Sequence, residues 1–331
     1  MGGNLFKLGR LPKLEYKVIE DSISEYLTNK IGENNFKIPR YYSDKKDFGD
    51  LDVLINLDAV KDWKTFKLEL IKDLKIETSK SSGHIFSTVY KNFQVDFFNK
   101  PAKYYESSYY FLSFNDVGNI IGRMFRRMGL KYGEKGIIYV YRRENDGHYA
   151  KEIPVSVNFE KIIEFIGLNF SEWEKGFNAL DDVFRWVIKS PYFSTKPYLE
   201  PNKAINKRKQ RTTIIAFIEF LQTSNIEINI DYKGQTTFID KIHDYFPEAD
   251  LHSKIELEKE REAFVNIIKA KYNGRVIMEL FPDLLGKDLG NFMNAFQNSL
   301  GHYEQVFYNS SKNEIIEMLK EFKQNYDNQR T

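Results

Sequence analysis

Residues 47–55 read DFGDLDVLI. A glycine precedes two aspartates, Asp50 and Asp52, and an apolar run follows. Side chains alternate faces along a β-strand. A strand over residues 50–57 therefore turns Leu51, Val53, Ile55 and Leu57 to one side and Asp50 and Asp52 to the other, roughly 7 Å apart along the chain. Two carboxylates on one open face repel each other. A hard divalent cation between them converts the repulsion into binding, and Mg²⁺ favours one or two carboxylates together with phosphate oxygens. The plainer reading of GDLD is a turn and a strand end whose acids are solvated.

A third acid lies in residues 92–98, NFQVDFF. Phe93, Val95 and Phe97 share a strand face and leave Asp96 on the other, between apolar neighbours. An aspartate there is costly unless it is paired or bound to metal. Asp50, Asp52 and Asp96 together suit a two-metal site, with two Mg²⁺ ions (Mn²⁺ as substitute) that hold a triphosphate and activate an attacking hydroxyl.

The surrounding pattern predicts an α+β fold. Residues 13–30 have helical apolar spacing, a strand follows at the aspartates, and AVKDWKTFKLELIKDL is an amphipathic helix. HIFSTVYKNFQVDFF gives two strands with a turn at YKN. A helix is expected over about 115–128, then a strand at GIIYVYRR; the rest is mostly helical. The expected organisation is a palm of mixed sheet and helices over 1–145, a helical thumb-like region over 146–195, and a helical domain over 196–331. The last boundary is marked by Pro191, Pro197 and Pro201.

The three acids, their spacing and the glycine approach through Gly49 resemble the nucleotidyltransferase superfamily of DNA polymerase β. The resemblance covers about residues 38–145. Residues 104–130, YYESSYYFLSFNDVGNIIGRMFRRMGL, are similar to the segment of family X polymerases that carries a Tyr-Phe turn before the nucleotide-pocket helix. That match implies that Tyr110 and Phe111 lie beside the sugar of an incoming nucleotide, with Ser113, Asn115 and Asn119 near its base or ribose. The superfamily's Gly-Ser triphosphate grip is missing from KIPRYYSDKKDFGD; Arg40, Ser43, Lys45 and Lys46 are the residues there that offer a hydroxyl or positive charge. A shorter resemblance, at residues 271–296, is to the helical tail of CCA-adding and related RNA nucleotidyltransferases. Two ordinary helices joined by a Pro-Asp turn read equally well there.

The chain has 331 residues, no cysteine and a net charge of +2. Disulfides, thiolate metal sites and a cysteine nucleophile are excluded, and a cytoplasmic location is expected. No run of residues reaches the length of a membrane span. Attraction to nucleic acid must come from local patches. Arg123, Arg126 and Arg127 form one candidate; Lys203, Lys207, Arg208, Lys209 and Arg211 form the other. Each also reads as a solvated surface. His84 reads as a structural histidine. Zinc-protease, P-loop and nucleophile-elbow motifs are lacking. The expected function is transfer of a nucleoside monophosphate from a nucleoside triphosphate to the 3′-hydroxyl of a DNA or RNA end. The alternatives are a nucleotidyltransferase that modifies a protein or small molecule, and a non-catalytic nucleotide-binding module.

Overall fold

The structure, a computed structural model, describes residues 5–143, 147–200, 211–228, 230 and 238–328. It is mixed α+β. β1 (Leu11–Pro12) leads into α1 (Lys13–Ile31), which buries Tyr16, Ile19, Ile23 and Leu27 along one stripe. β2 (Phe36–Lys37) and β3 (Asp47–Phe48) precede β4 (Leu51–Asn56). Next come α2 (Trp63–Asp73), β5 (Thr78–Ser82), β6 (Ile85–Tyr90), β7 (Phe93–Lys100), α3 (Ala102–Leu112) and α4 (Val117–Arg127).

Five of these strands form a sheet in the order β2-β4-β7-β6-β5. β4 and β7 pair in parallel, and their register sets Asp52 opposite Asp96. The other three pairings are antiparallel. The turn between β6 and β7 contains Lys91 and Asn92, with φ of 48° and 59°. Two successive left-handed residues match the strand twist in a two-residue hairpin. That turn fixes Tyr90 against Phe93, and hence Ser87 against Asp96.

Strand alternation sorts the two faces. Leu51, Val53, Ile55, Phe93, Val95 and Phe97 pack with α1 and α2 in one core. Leu54 and Phe98, on the opposite face, are buried with Tyr105 of α3. Asp52 and Asp96 share that opposite face, one side-chain step earlier along each strand. β4 ends at Asn56; Leu57 starts a 3₁₀ turn (Leu57–Ala59) and does not extend the strand.

α4 starts at Val117, two residues later than expected. Phe114 and Asn115 hold φ of 57° and 62°, which interrupts helical geometry between α3 and α4. A second sheet, ordered β10-β9-β8, is made by β8 (Leu130–Gly133), β9 (Gly136–Arg142) and β10 (Tyr149–Ser156). Then follow α5 (Phe159–Phe165), α6 (Phe170–Lys175), α7 (Leu180–Ile188), α8 (Lys196–Leu199), α9 (Thr212–Thr223) and α10 (Ile239–Tyr245). Buried aromatic pairs join these helices; Phe184 and Tyr198 each lie 4.9 Å from Phe217, centroid to centroid.

The chain divides into two compact units, residues 1–141 with 152–251, and residues 142–151 with 252–331. The expected boundary at 195 falls inside the first unit, and the one at 145 lies outside the described residues. The second unit contains α11 (Leu251–Lys271), α12 (Gly274–Leu280), α13 (Gly286–Ser299), α14 (Tyr303–Asn309) and α15 (Lys312–Asn328). Its core is built from Tyr272, Ile277, Phe292, Phe296, Phe307, Ile315 and Leu319. The segment compared with CCA-adding enzymes is here two helices, α12 capped by Asn273 and α13, joined through residues 281–285. Lys271 closes α14 by donating to the carbonyls of Tyr308 and Ser310 at 2.6 and 2.8 Å, a favourable place for a cation. Among the described residues no helix is long and apolar enough to cross a membrane.

Two glycines test this packing. A Cβ on Gly118 would lie 2.5 Å from the Phe111 carbonyl oxygen, whereas one on Gly290 meets nothing within 4 Å. Gly118→Ala should destabilise the chain by roughly 1–3 kcal/mol through overpacking. Gly290→Ala, at an exposed helical position, should stabilise it by up to about 1 kcal/mol. Urea unfolding midpoints check both; equal shifts of the same sign would contradict the α3–α4 packing.

Candidate metal centre

The approach to the aspartates is held by aromatic packing. Phe48 of β3 stacks on Tyr16 of α1 with centroids 3.7 Å apart and meets the edge of Tyr41 at 4.8 Å. β3 pairs with β1, so the loop before β4 is tied to the start of α1. Gly49 makes the bend between β3 and Asp50. Asp50 therefore stands at the strand mouth, Asp52 on β4 and Asp96 beside it on β7.

Asp50, Asp52 and Asp96 each offer a carboxylate oxygen, and these three oxygens lie within 4.8 Å of one another. Among the described residues no other group of three or more His, Cys, Asp or Glu side chains converges in this way. Asp96 is 8% exposed. Its Oδ2 accepts from Nε2 of the buried Gln94 at 2.9 Å, and Ser87 stands opposite Asp96 on β6. Its Oδ1 is buried without a hydrogen-bond partner. A buried acceptor left unbonded is expensive. Oxygen-only donors around such an atom match the preference of Mg²⁺ and Mn²⁺, so the residues fit these ions.

The electrostatics agree. Burial raises the Asp52 pKa well above the ordinary carboxylate value, and the negative charges of Asp50 and Asp96 push it further; Lys45 opposes them. Burial also raises Asp96, against the hydrogen bond from Gln94. Lys45 shows the converse. Burial lowers its pKa to about 8, Asp50 and Asp52 favour its charged form, and Arg10 disfavours it. Its ammonium donates to Asn115 Oδ1 at 3.0 Å and lies 4.3 Å from the Phe48 ring centre.

The other sequence candidates have definite places. Arg40 donates to the carbonyls of Trp173 and Glu174 at 3.0 and 2.9 Å and lies over the Trp173 ring, so its guanidinium holds the end of α6. Ser43 takes its N–H to the Phe177 carbonyl at 3.0 Å. Ser113 Oγ accepts from the Arg40 N–H and donates to the Tyr109 carbonyl, which ties α3 to the approach loop. Tyr110 lies in α3, not in a turn, stacked on Phe159 at 4.4 Å and close to Trp173. Phe111 meets Tyr132 and supports Gly118. Asn119 donates to Asp116, which also pairs with Arg211. Arg123 and Arg127 line a small cleft with Tyr192, Ser194 and Tyr198, while Arg126 is exposed. Lys203, Lys207, Arg208 and Lys209 lie outside the described residues. His84 lies 3.5 Å from the Glu134 carboxylate, beside Lys100.

Sequence reading missed Gln94 and Ser87, the two partners of Asp96. Gln94 was accessible as the residue two before Asp96 on the same strand face. Ser87 follows once the hairpin is closed at Lys91 and Asn92. No protein-family model matches this sequence, and no curated protein matches it.

Asp52 and Asp96 retain protons at pH values where the unfolded chain has already lost them. In chelator-treated protein their contribution to stability must therefore fall as pH rises from about 4 toward neutrality. Asp52→Asn should flatten that fall and raise the neutral-pH melting temperature of chelated protein, by about 2–4 °C for each kcal/mol recovered. Added Mn²⁺ should raise the parent's melting temperature by mass action and leave the variant's nearly unchanged. A chelated Asp52→Asn protein that melts well below its parent would show that Asp52 serves as a structural ion-pair partner.

Proposed function

We propose that this chain is a metal-dependent nucleotidyltransferase that transfers a nucleoside monophosphate from a nucleoside triphosphate to the 3′-hydroxyl of a nucleic-acid end. The observation that supports the reading best is the convergence of Asp50, Asp52 and Asp96 within 4.8 Å, with Asp96 Oδ1 buried and unbonded. Asp50 and Asp52 would hold Mg²⁺, with Mn²⁺ as substitute. When bound, the ions supply positive charge that polarises the reacting phosphoryl group and lowers the pKa of an attacking hydroxyl. Asp96 is assigned to the acceptor side, where Gln94 fixes the orientation of its carboxyl group. The acceptor O3′–Pα bond forms, the bond from Pα to the bridging oxygen breaks, and pyrophosphate leaves with that oxygen; the hydroxyl proton is lost to Asp96 or water.

The nucleic-acid end is the preferred acceptor because Arg126 is exposed at the end of α4. A second reading keeps the chemistry but takes a hydroxyl of a protein or small molecule. It is favoured by the internal use of Arg211, whose pairing with Asp116 removes one cation from the candidate nucleic-acid surface. A cytoplasmic setting accords with either reading.

Incubation with Mg²⁺, nucleotides labelled at the α-phosphate and a panel of DNA, RNA and tRNA ends, with and without template, should give labelled acceptor and pyrophosphate. Asp50→Asn, Asp52→Asn and Asp96→Asn should each reduce the rate by roughly two to three orders of magnitude. Full activity in Asp96→Asn would remove Asp96 from the chemistry. Label found on the protein or on a small-molecule acceptor, with none on nucleic acid, would favour the second reading.

A further inference from the structure

The environment of Lys45 is unusual for a lysine. Among the described residues its ammonium donates one hydrogen bond, to the neutral amide of Asn115. No carboxylate oxygen lies within ion-pair distance of its ammonium among the described residues. An ammonium has three donors, and among the described residues only one of them meets a protein acceptor, in a half-buried place. Desolvation without an ionic partner is costly.

The structure maintains this position deliberately. Asn115 is held in the left-handed region at φ 62°, directly after Phe114 at φ 57°. A bulky residue there carries strain that the surroundings must over-determine. Phe114 is buried, its N–H donates to the Arg40 carbonyl at 2.6 Å, and its ring packs edge-on to Phe177 and Trp173. The strained corner thus presents an amide that fixes Lys45 over Phe48, two residues before Asp50.

Charge balance then identifies the ligand class. Without a divalent cation the ammonium is attracted by Asp50 and Asp52. Once two divalent cations join Asp50, Asp52 and Asp96, the positive charge exceeds the negative and the same ammonium faces a like charge. An anion that contacts both the ammonium and the cations relieves that repulsion, and a polyphosphate has enough oxygens to do so. We propose that Lys45 is the polyphosphate-binding cation of this site, in place of the Gly-Ser grip absent from the approach loop. The inference rests on the nucleotidyltransferase reading and extends it to a specific residue.

Inorganic tripolyphosphate with Mn²⁺, titrated calorimetrically, separates the two. Lys45→Met should weaken Mn²⁺-dependent tripolyphosphate binding by about ten- to a hundredfold, and Mn²⁺ alone should bind as well as in the parent or better. Lys45→Arg should recover most of the affinity, and Lys64→Met, at an exposed position on α2, should change nothing. If the parent binds Mn²⁺-tripolyphosphate and Lys45→Met binds it equally, the assignment of Lys45 is wrong while the site reading stands. If Lys45→Met loses Mn²⁺ binding as well and Lys45→Arg does not restore tripolyphosphate binding, Lys45 is a structural counter-charge. If the parent binds Mn²⁺ but no tripolyphosphate, the nucleotidyltransferase reading falls, and Lys45 with it.

Discussion

The parallel pairing of β4 with β7 places Asp52 directly beside Asp96, and much of the first unit is arranged around that juxtaposition. Two unit charges about 4 Å apart repel by roughly 4 kcal/mol at the effective dielectric near a protein surface. Asp50 adds a third charge to the same space. Burial adds its own penalty to Asp52 and Asp96. A sheet of this kind gains nothing from carboxylates at these positions, because Leu54 and Phe98, one step further along the same face, pack well under α3. The cost is intelligible if the carboxylates are ligands.

Positioning comes from segments distant in sequence. Phe48, between Tyr16 and Tyr41, holds the strand entrance. Arg40 spans from the approach loop to the end of α6, and its backbone is bonded to residues 113 and 114. Gly176 is part of the same tie: it adopts φ 82°, and a Cβ there would lie 2.6 Å from the Arg40 guanidinium. Through these contacts α1, the approach loop, the α3–α4 corner and α6 form one continuous wall on the side of the sheet entrance that carries Lys45.

Much of the acidic site is legible in local sequence. Alternation alone separates Asp50, Asp52 and Asp96 from the core residues between them, and the two-residue turn at Lys91 and Asn92 fixes Ser87 against Asp96. The parallel register of β4 and β7 is not legible, since α2 and a hairpin intervene and no local turn constrains it. The roles of Arg40 and Tyr110 were hidden for a similar reason: their partners, Trp173, Glu174 and Phe159, lie far along the chain. Phe114 gave no signal either, because a left-handed phenylalanine is set by tertiary contacts against its own preference. The stretch with Pro191, Pro197 and Pro201 carries no local sign that Tyr198 within it packs on Phe217 of α9, because that contact is set by tertiary structure.

The central claim is that three mutually repelling carboxylates are kept together because a cation joins them. It is met most directly by titrating Mn²⁺ into chelator-stripped protein at mildly acidic pH, in two buffers of different ionisation enthalpy. Metal that displaces the protons held by Asp52 and Asp96 must release them to the buffer. The parent should bind Mn²⁺ with net proton release, and Asp52→Asn should lose both. Absence of binding, or binding without proton release that Asp52→Asn leaves intact, would contradict it.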